Sequence, residues 1–197
     1  FQVNTHAIGD RANREVLDIY ERAFEAAGAD PDTLRWRIEH AQHVHPDDIS
    51  RFAELGIVAA MQGIHCTSDA PWVYRRLGAD RAESGAYMWS DFLDHGVVIA
   101  NGTDVPVEDI DPIASFYASV SRMTADGERF FPEQAMTREE ALRSYTLDAA
   151  YAGFAEDRMG SITPGKLADI AVLDRDIMTI PEAEIPDARV DLTIVGG

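Results

Sequence analysis

Val97-Val98-Ile99-Ala100-Asn101-Gly102-Thr103-Asp104-Val105-Pro106 reads as a buried parallel strand that ends at a functional surface. Five uncharged residues, three of them β-branched, run into a Gly-Thr-Asp turn that Pro106 closes. Asp104 therefore sits at the carboxyl end of a strand, where open and closed α/β sheets assemble their chemistry. An isolated Gly-x-Asp often does no more than hydrogen-bond its own turn. Here two strand ends upstream, Thr5-His6 and Glu39-His40, finish in histidine, and the three termini together point to a site.

Working outward, Phe1 to His6 reads as a first strand. Val16, Tyr20, Ala23, Phe24 and Ala27 then recur with the period of a helix buried on one face, and Gly28 stops it. Leu34 to His40 is the second strand, and Pro46-Asp47-Asp48 opens a helix that reaches Gly56. Ile57 to Met61 is the third strand. Gln62 to about Tyr87 looks too polar and too rich in Gly and Pro to be one element. It is expected to be a long functional loop with a short helix near Trp72 to Leu77. Trp89 to His95 is a brief helix, with His95 as its cationic terminator. Asp111-Pro112 caps a helix with Ile113, Phe116, Tyr117 and Val120 on one face, and Thr137 with Glu140 forms a capping box for a helix through Tyr145.

Strand ends near 6, 40, 61 and 104 make three β-helix units in 104 − 6 = 98 residues. That is about 33 per unit, against about 31 in an eightfold barrel of ~250 residues. The fold class is α/β, half of a (β/α)8 TIM barrel, over 1–158. From 159 to 197 the chain offers short strands without long helices, a separate small β element. A doubly wound sheet is the rival, but no G-x-G-x-x-G follows any strand.

Composition excludes some partners. The net charge of −18, from 35 acidic against 17 basic residues, argues against a nucleic acid. No apolar run approaches the ~20 residues of a membrane span, and no basic-then-apolar leader opens the chain. The chain starts at Phe1 inside a strand and without Met, so it reads as part of something longer. One cysteine, Cys66, forms no internal disulfide, fits a reducing, cytoplasmic setting, and is expected to be quiet and half-buried.

His6, His40 and Asp104, each from a different strand terminus, offer nitrogen and oxygen donors that suit zinc and other divalent first-row metals. His65 follows the third strand and is within reach of the same rim. His43 and His45 lie past the strand and are expected to be solvated loop residues. Trp72, Tyr74 and Tyr87 are expected to wall an apolar pocket over the site. Arg11 and Arg37 either hold a substrate carboxylate or form structural ion pairs.

His6-Ala7-Ile8-Gly9-Asp10-Arg11-Ala12, Arg37-Ile38-Glu39-His40-Ala41-Gln42, Gly102-Thr103-Asp104-Val105-Pro106 and Gly160-Ser161-Ile162-Thr163-Pro164-Gly165-Lys166-Leu167-Ala168-Asp169 resemble, in that order, the amidohydrolase superfamily. More narrowly the chain resembles amidohydrolase family 3, the YtcJ-like branch that includes N-substituted formamide deformylases. The resemblance implies a metal-dependent hydrolase of small-molecule amides, with strands five to eight of the barrel present here, followed by part of a small β-sandwich. It implies His6 and His40 as metal ligands, Asp104 as the strand-eight aspartate, and one or two ions, zinc foremost, in the complete enzyme. The family's first-strand His-x-His and its fourth-strand bridging residue, often a carboxylated lysine, would precede Phe1. Lys166, in a Pro-Gly-Lys turn, does not replace the latter. Metal binding by this piece alone is therefore expected to be weak or absent, and the fragment inactive. Catalysis is assigned to Asp104 as proton acceptor and to His65 at the developing oxyanion. Two open strand edges are expected to be covered by a second copy or by a preceding half of the same protein. The alternatives are a catalytically silent binding or assembly module on the same barrel, and a metal-dependent ester or phosphoester hydrolase.

Overall fold

The computed structural model describes residues 1–197. Strands β1 (Asn4–Ala7), β2 (Arg37–His40), β3 (Val58–Gln62) and β4 (Ile99–Gly102) form one parallel sheet in the order β1-β2-β3-β4. Chain order equals spatial order, so every crossover steps the same way. A doubly wound sheet would reverse direction once. His6 lies opposite Glu39, Glu39 opposite Ala60 and Ala60 opposite Ala100, which brings the strand ends level. β3 is buried at all five positions, as a central parallel strand covered on both faces must be.

The helices are placed by their caps and apolar stripes. α1 (Asp10–Ala27) buries Val16, Leu17, Tyr20 and Phe24 and ends at Gly28, whose φ of 58° is the left-handed turn that glycine adopts without strain. A one-turn α2 (Pro31–Leu34) leads into β2. In α3 (Pro46–Glu54) Phe52 is fully buried and meets Phe92 of α6 (Trp89–Asp94) edge-on, at 4.9 Å between ring centres. Asp111 accepts from the backbone N–H groups of Ile113 and Ala114 and starts α7 (Pro112–Ser121). The expected capping box of Thr137 and Glu140 starts α8 (Arg138–Tyr145), and α9 (Leu147–Ala152) follows.

The segment expected to be an irregular loop is helical. α4 (Gly63–Leu77) starts directly at the end of β3, and α5 (Ala79–Gly85) follows it. The caps of α4 come from far along the chain: Asn101 Oδ1 accepts the Gly63 N–H at 2.9 Å and Ser115 Oγ accepts the Ile64 N–H at 3.2 Å. Its buried face is Gly63, His65, Cys66, Ala70 and Val73, too small and polar to print a hydrophobic period. Gly63 is required where α4 crosses α7, because a Cβ there would lie 2.5 Å from the Ser115 carbonyl oxygen.

β5 (Ile170–Leu173) and β6 (Val190–Ile194) form an antiparallel pair of their own. Between them, Ile177, Ile185 and Ala188 insert into the core that contains Leu17, Phe52 and Trp89.

Candidate metal centre

The carboxyl ends of the four strands carry the chemistry. His40 and Ala41 both adopt left-handed backbone, φ 78° and 44°, a conformation that costs non-glycine residues about 1–2 kcal/mol each and turns the chain sharply at the end of β2. The His40 ring stands edge-on to His6, 4.5 Å between centres, and 5.9 Å from the ring of His65. Asp104, also left-handed at φ 60°, follows β4, and its Oδ2 is 3.2 Å from His65 Nε2. One donor atom from each of His40, His65 and Asp104 falls within 4.8 Å of the others. His6 is exposed beside this group, on the outer strand of the sheet, and is not one of its members.

Hydrogen bonds decide which nitrogen of His40 faces the site. Gln62 Nε2 donates to the Ala60 carbonyl oxygen at 3.1 Å, which fixes its Oε1 as the acceptor 2.8 Å from His40 Nδ1. In the neutral ring Nδ1 therefore carries the proton and the lone pair lies on Nε2, the tautomer in which imidazole binds a cation through Nε2. Four-coordinate zinc with bonds of about 2.0–2.2 Å places its ligand atoms roughly 3.3–3.6 Å apart. The 3.2 Å between His65 Nε2 and Asp104 Oδ2 is close to that spacing, while the 4.8 Å within which the whole group falls exceeds it, so the widest pair would close by up to about 1.2–1.5 Å around such an ion.

Two buried residues hold the loops in place: Asn13, which the sequence did not single out, and Tyr87, which it offered as a pocket wall. Asn13 donates to the carbonyl oxygens of Gly9 at 2.9 Å and His43 at 3.2 Å, tying the loop after β1 to the loop after β2. Tyr87 Oη accepts from Gln42 Nε2 at 2.5 Å and donates to Asp69 Oδ2 at 2.7 Å, and it lies 3.1 Å from the carbonyl oxygen of His65. Burial pushes the Tyr87 hydroxyl well above its ordinary range, so it remains a proton donor throughout working pH. These contacts join the His40 loop to the helix that carries His65.

Tyr87 is thus a buried strut rather than a pocket wall, and Trp72 is half exposed. Tyr74 does line a cavity of about 380 Å³ with Ala70, Pro71, Phe130 and Phe131, but no member of the histidine–aspartate group lines it. A smaller cavity of about 190 Å³ runs along Arg37, Glu39, Ala60, Gln62, Ala100 and Gly102, and no member of the donor group lines it, although Gln62 bonds His40. Arg37 is paired there with Glu39 at 3.0 Å, and exposed Arg11 pairs with Glu15 at 2.7 Å, the structural alternative for both arginines. His43 is not solvated: α5 returns over its loop, Val44 N–H donates to the Gly85 carbonyl oxygen, and its Nδ1 is buried without a partner. That burial lowers its pKa. His45 caps α3 by accepting the Asp47 N–H, and His95 closes α6 with its Nδ1 2.7 Å from the Asp91 carbonyl oxygen. Cys66 is fully rather than half buried, and its thiol pKa is pushed up to about 12 by that burial.

A parallel α/β sheet with imidazole and carboxylate donors gathered at its strand ends is how metal-dependent α/β hydrolases build their sites. The chain belongs to the amidohydrolase family, whose model Amidohydro_3 matches residues 1–197. It is 39% identical over 197 residues to Protein LONG AFTER FAR-RED 3 of Arabidopsis thaliana, covering 100% of this chain and 33% of that one. It is 32% identical over 193 residues to N-substituted formamide deformylase of Arthrobacter pascens, covering 98% and 35%. Among solved structures, an uncharacterized metal-dependent hydrolase from Pyrococcus horikoshii superposes with a TM-score of 0.78 at 31% identity, over 93% of this chain and 36% of that one. The chain spans about a third of the length of the curated relatives it matches.

Proposed function

We propose that the chain supplies the second half of a (β/α)8 barrel, with β5 and β6 as part of an adjoining small β-sandwich, to a metal-dependent amidohydrolase that cleaves a non-peptide C–N bond of a small amide. The observation that carries this reading is the gathering of His40, His65 and Asp104 at adjacent carboxyl ends of one parallel sheet. A relative that acts, by its name, on N-substituted formamides favours an N-formyl or N-acyl amine as substrate. The unpaired outer edges of β1 and β4 suit completion by a preceding half of the same protein, or cover by a second copy. With one cysteine and 35 acidic residues the setting is assigned as cytoplasmic, with neither nucleic acid nor membrane as partner.

His40 and Asp104 would hold a divalent ion, zinc by the chemistry of the donors, with His65 as the third donor gathered to them and His6, the other expected ligand, standing beside the group. When bound, the ion supplies Lewis acidity, lowering the pKa of water from about 15.7 toward about 7 and polarising a carbonyl. Asp104 accepts the proton of the attacking water and delivers it to the departing amine nitrogen. His65, buried against Asp104, turns Nε2 to the site; with the ring proton on Nδ1, its lone pair there joins His40 and Asp104 as a third donor, and the oxyanion contact expected of it would need a proton on Nε2. Gln62 and Tyr87 keep the two histidines in place.

In the full-length protein, Asp104→Asn should lower turnover of N-formyl and N-acyl amines by a factor of about 100 or more while the melting temperature stays near wild type. Near-normal turnover in that variant removes Asp104 from the mechanism. A wild-type protein that binds zinc yet leaves a panel of amides, esters and phosphoesters intact is a binding module instead.

A further inference from the structure

His65 is bracketed by two carboxylates from one loop. Asp104 faces its Nε2 at 3.2 Å, and Glu108, four residues later, faces its Nδ1 at the same distance. The loop makes this possible by turning back after Asp104: the Val107 N–H donates to the Asp104 carbonyl oxygen at 2.8 Å, and Glu108 returns on the other side of the ring. Glu108 is itself held, because Ser68 Oγ donates to Glu108 Oε1 at 2.6 Å, the same oxygen that faces His65. Ser68 sits one helical turn after His65 on α4, so both donors on that oxygen come from one rigid element. The device parallels Gln62, whose fixed Oε1 takes the Nδ1 proton of His40.

We propose that Glu108 is a positioning residue for the hydrolytic site: it accepts the Nδ1–H of His65, locks the ring against rotation, and so holds the Nε2 lone pair toward the donor group that His65 forms with His40 and Asp104. This assignment rests on the hydrolase reading for its catalytic consequence but not for its geometry. A free imidazole ring can flip and exchange its nitrogens; a ring anchored at Nδ1 by a carboxylate that is itself anchored cannot do so without breaking that contact. Outer contacts of this kind to site histidines are typically worth about 10- to 100-fold in activity or affinity.

The test uses the full-length protein with 15N-labelled histidine, comparing wild type, Glu108→Ala and Glu108→Gln. Wild type should show a proton bound to His65 Nδ1 and protected from exchange with water. Glu108→Ala should lose that protected proton and lower kcat about 10- to 100-fold at nearly constant KM. Glu108→Gln, whose amide oxygen still accepts, should keep the proton and recover most of kcat. A Glu108→Ala protein that retains the protected Nδ1 proton, or a Gln variant as impaired as Ala in both readouts, overturns the proposal. If wild type hydrolyses no amide while the Nδ1 proton responds as expected, the positioning role stands and the hydrolase reading falls.

Discussion

Arg122 offers a sharp test of how the scaffold around the site is held. It closes α7 in left-handed conformation at φ 52° and is completely buried, its guanidinium stacked 4.6 Å from the centre of the Trp89 ring. Its Nε donates to the Phe130 carbonyl oxygen at 2.6 Å, and its Nη1 donates to those of Tyr87 at 3.0 Å and Gln134 at 3.1 Å. The Tyr87 carbonyl keeps a second donor, the Trp89 N–H at 2.9 Å, whereas those of Phe130 and Gln134 depend on the arginine. Replacing Arg122 by Met fills much of the volume but strands two buried carbonyls at about 1–3 kcal/mol each and removes a desolvated cation–π contact of about 2 kcal/mol. Relief of the charge-burial penalty, visible in the pKa that burial pulls down, offsets part of this. The net expectation is a loss of about 3–5 kcal/mol, or roughly 6–20 °C in melting temperature for a unit of this size. Arg122→Lys, with a point donor in place of a planar fork, should lose nearly as much. Urea and thermal unfolding of the three proteins measure it, with hydrogen exchange at the Phe130 and Met136 amides locating the damage. A loss below ~1 kcal/mol for Arg122→Met would refute the claim that this guanidinium organises the segment from Met123 to Gln134.

Other expectations follow from single groups. Cys66, with its thiol at about 12 through burial, should resist alkylation at pH 8 in the native protein and react fully once unfolded in urea. Arg35 clasps Glu156 with two hydrogen bonds of 2.6 and 2.9 Å and holds its carboxyl below the usual range. A lowered carboxyl pKa stabilises the fold above the unfolded value of 4.5 and ceases to do so as pH falls through the folded value. The stability gap between wild type and Glu156→Gln should therefore be present at pH 6 and close below about pH 4.5. Because the Glu156 side chain is a third exposed, that gap should not exceed about 1 kcal/mol. A gap that widens on acidification would contradict the sign.

What the sequence made legible was written in local signals. Gly28, the Pro46 start, Asp111 and the Thr137–Glu140 box each act within one turn of themselves, and those helices lie where their caps put them. The strand ends were equally plain, because a fully buried strand such as β3 must be apolar at consecutive positions. α4 was illegible for the converse reason. Its first two N–H groups are capped by Asn101 and Ser115, 38 and 51 positions away, and its buried face includes a glycine, a histidine and a cysteine. The same distance effect hid the supports of the site. Asn13, Gln62 and Glu108 are ordinary polar residues in sequence and Tyr87 reads as a pocket wall, and only folding brings them to the loops and rings they hold. His65 was visible because it follows a strand end; Glu108 sits in an acidic run, Glu108-Asp109-Ile110-Asp111, of which only Asp111 carried a local signal, as a helix cap.

The central claim, that the strand ends form one metal centre, is tested most directly by an anomalous-difference map at the zinc edge from crystals of the full-length protein grown with zinc. The expected result is a peak about 2.0–2.2 Å from both His40 Nε2 and a carboxylate oxygen of Asp104. Zinc bound elsewhere, with His40 Nε2 and Asp104 making only protein or water contacts, would contradict it.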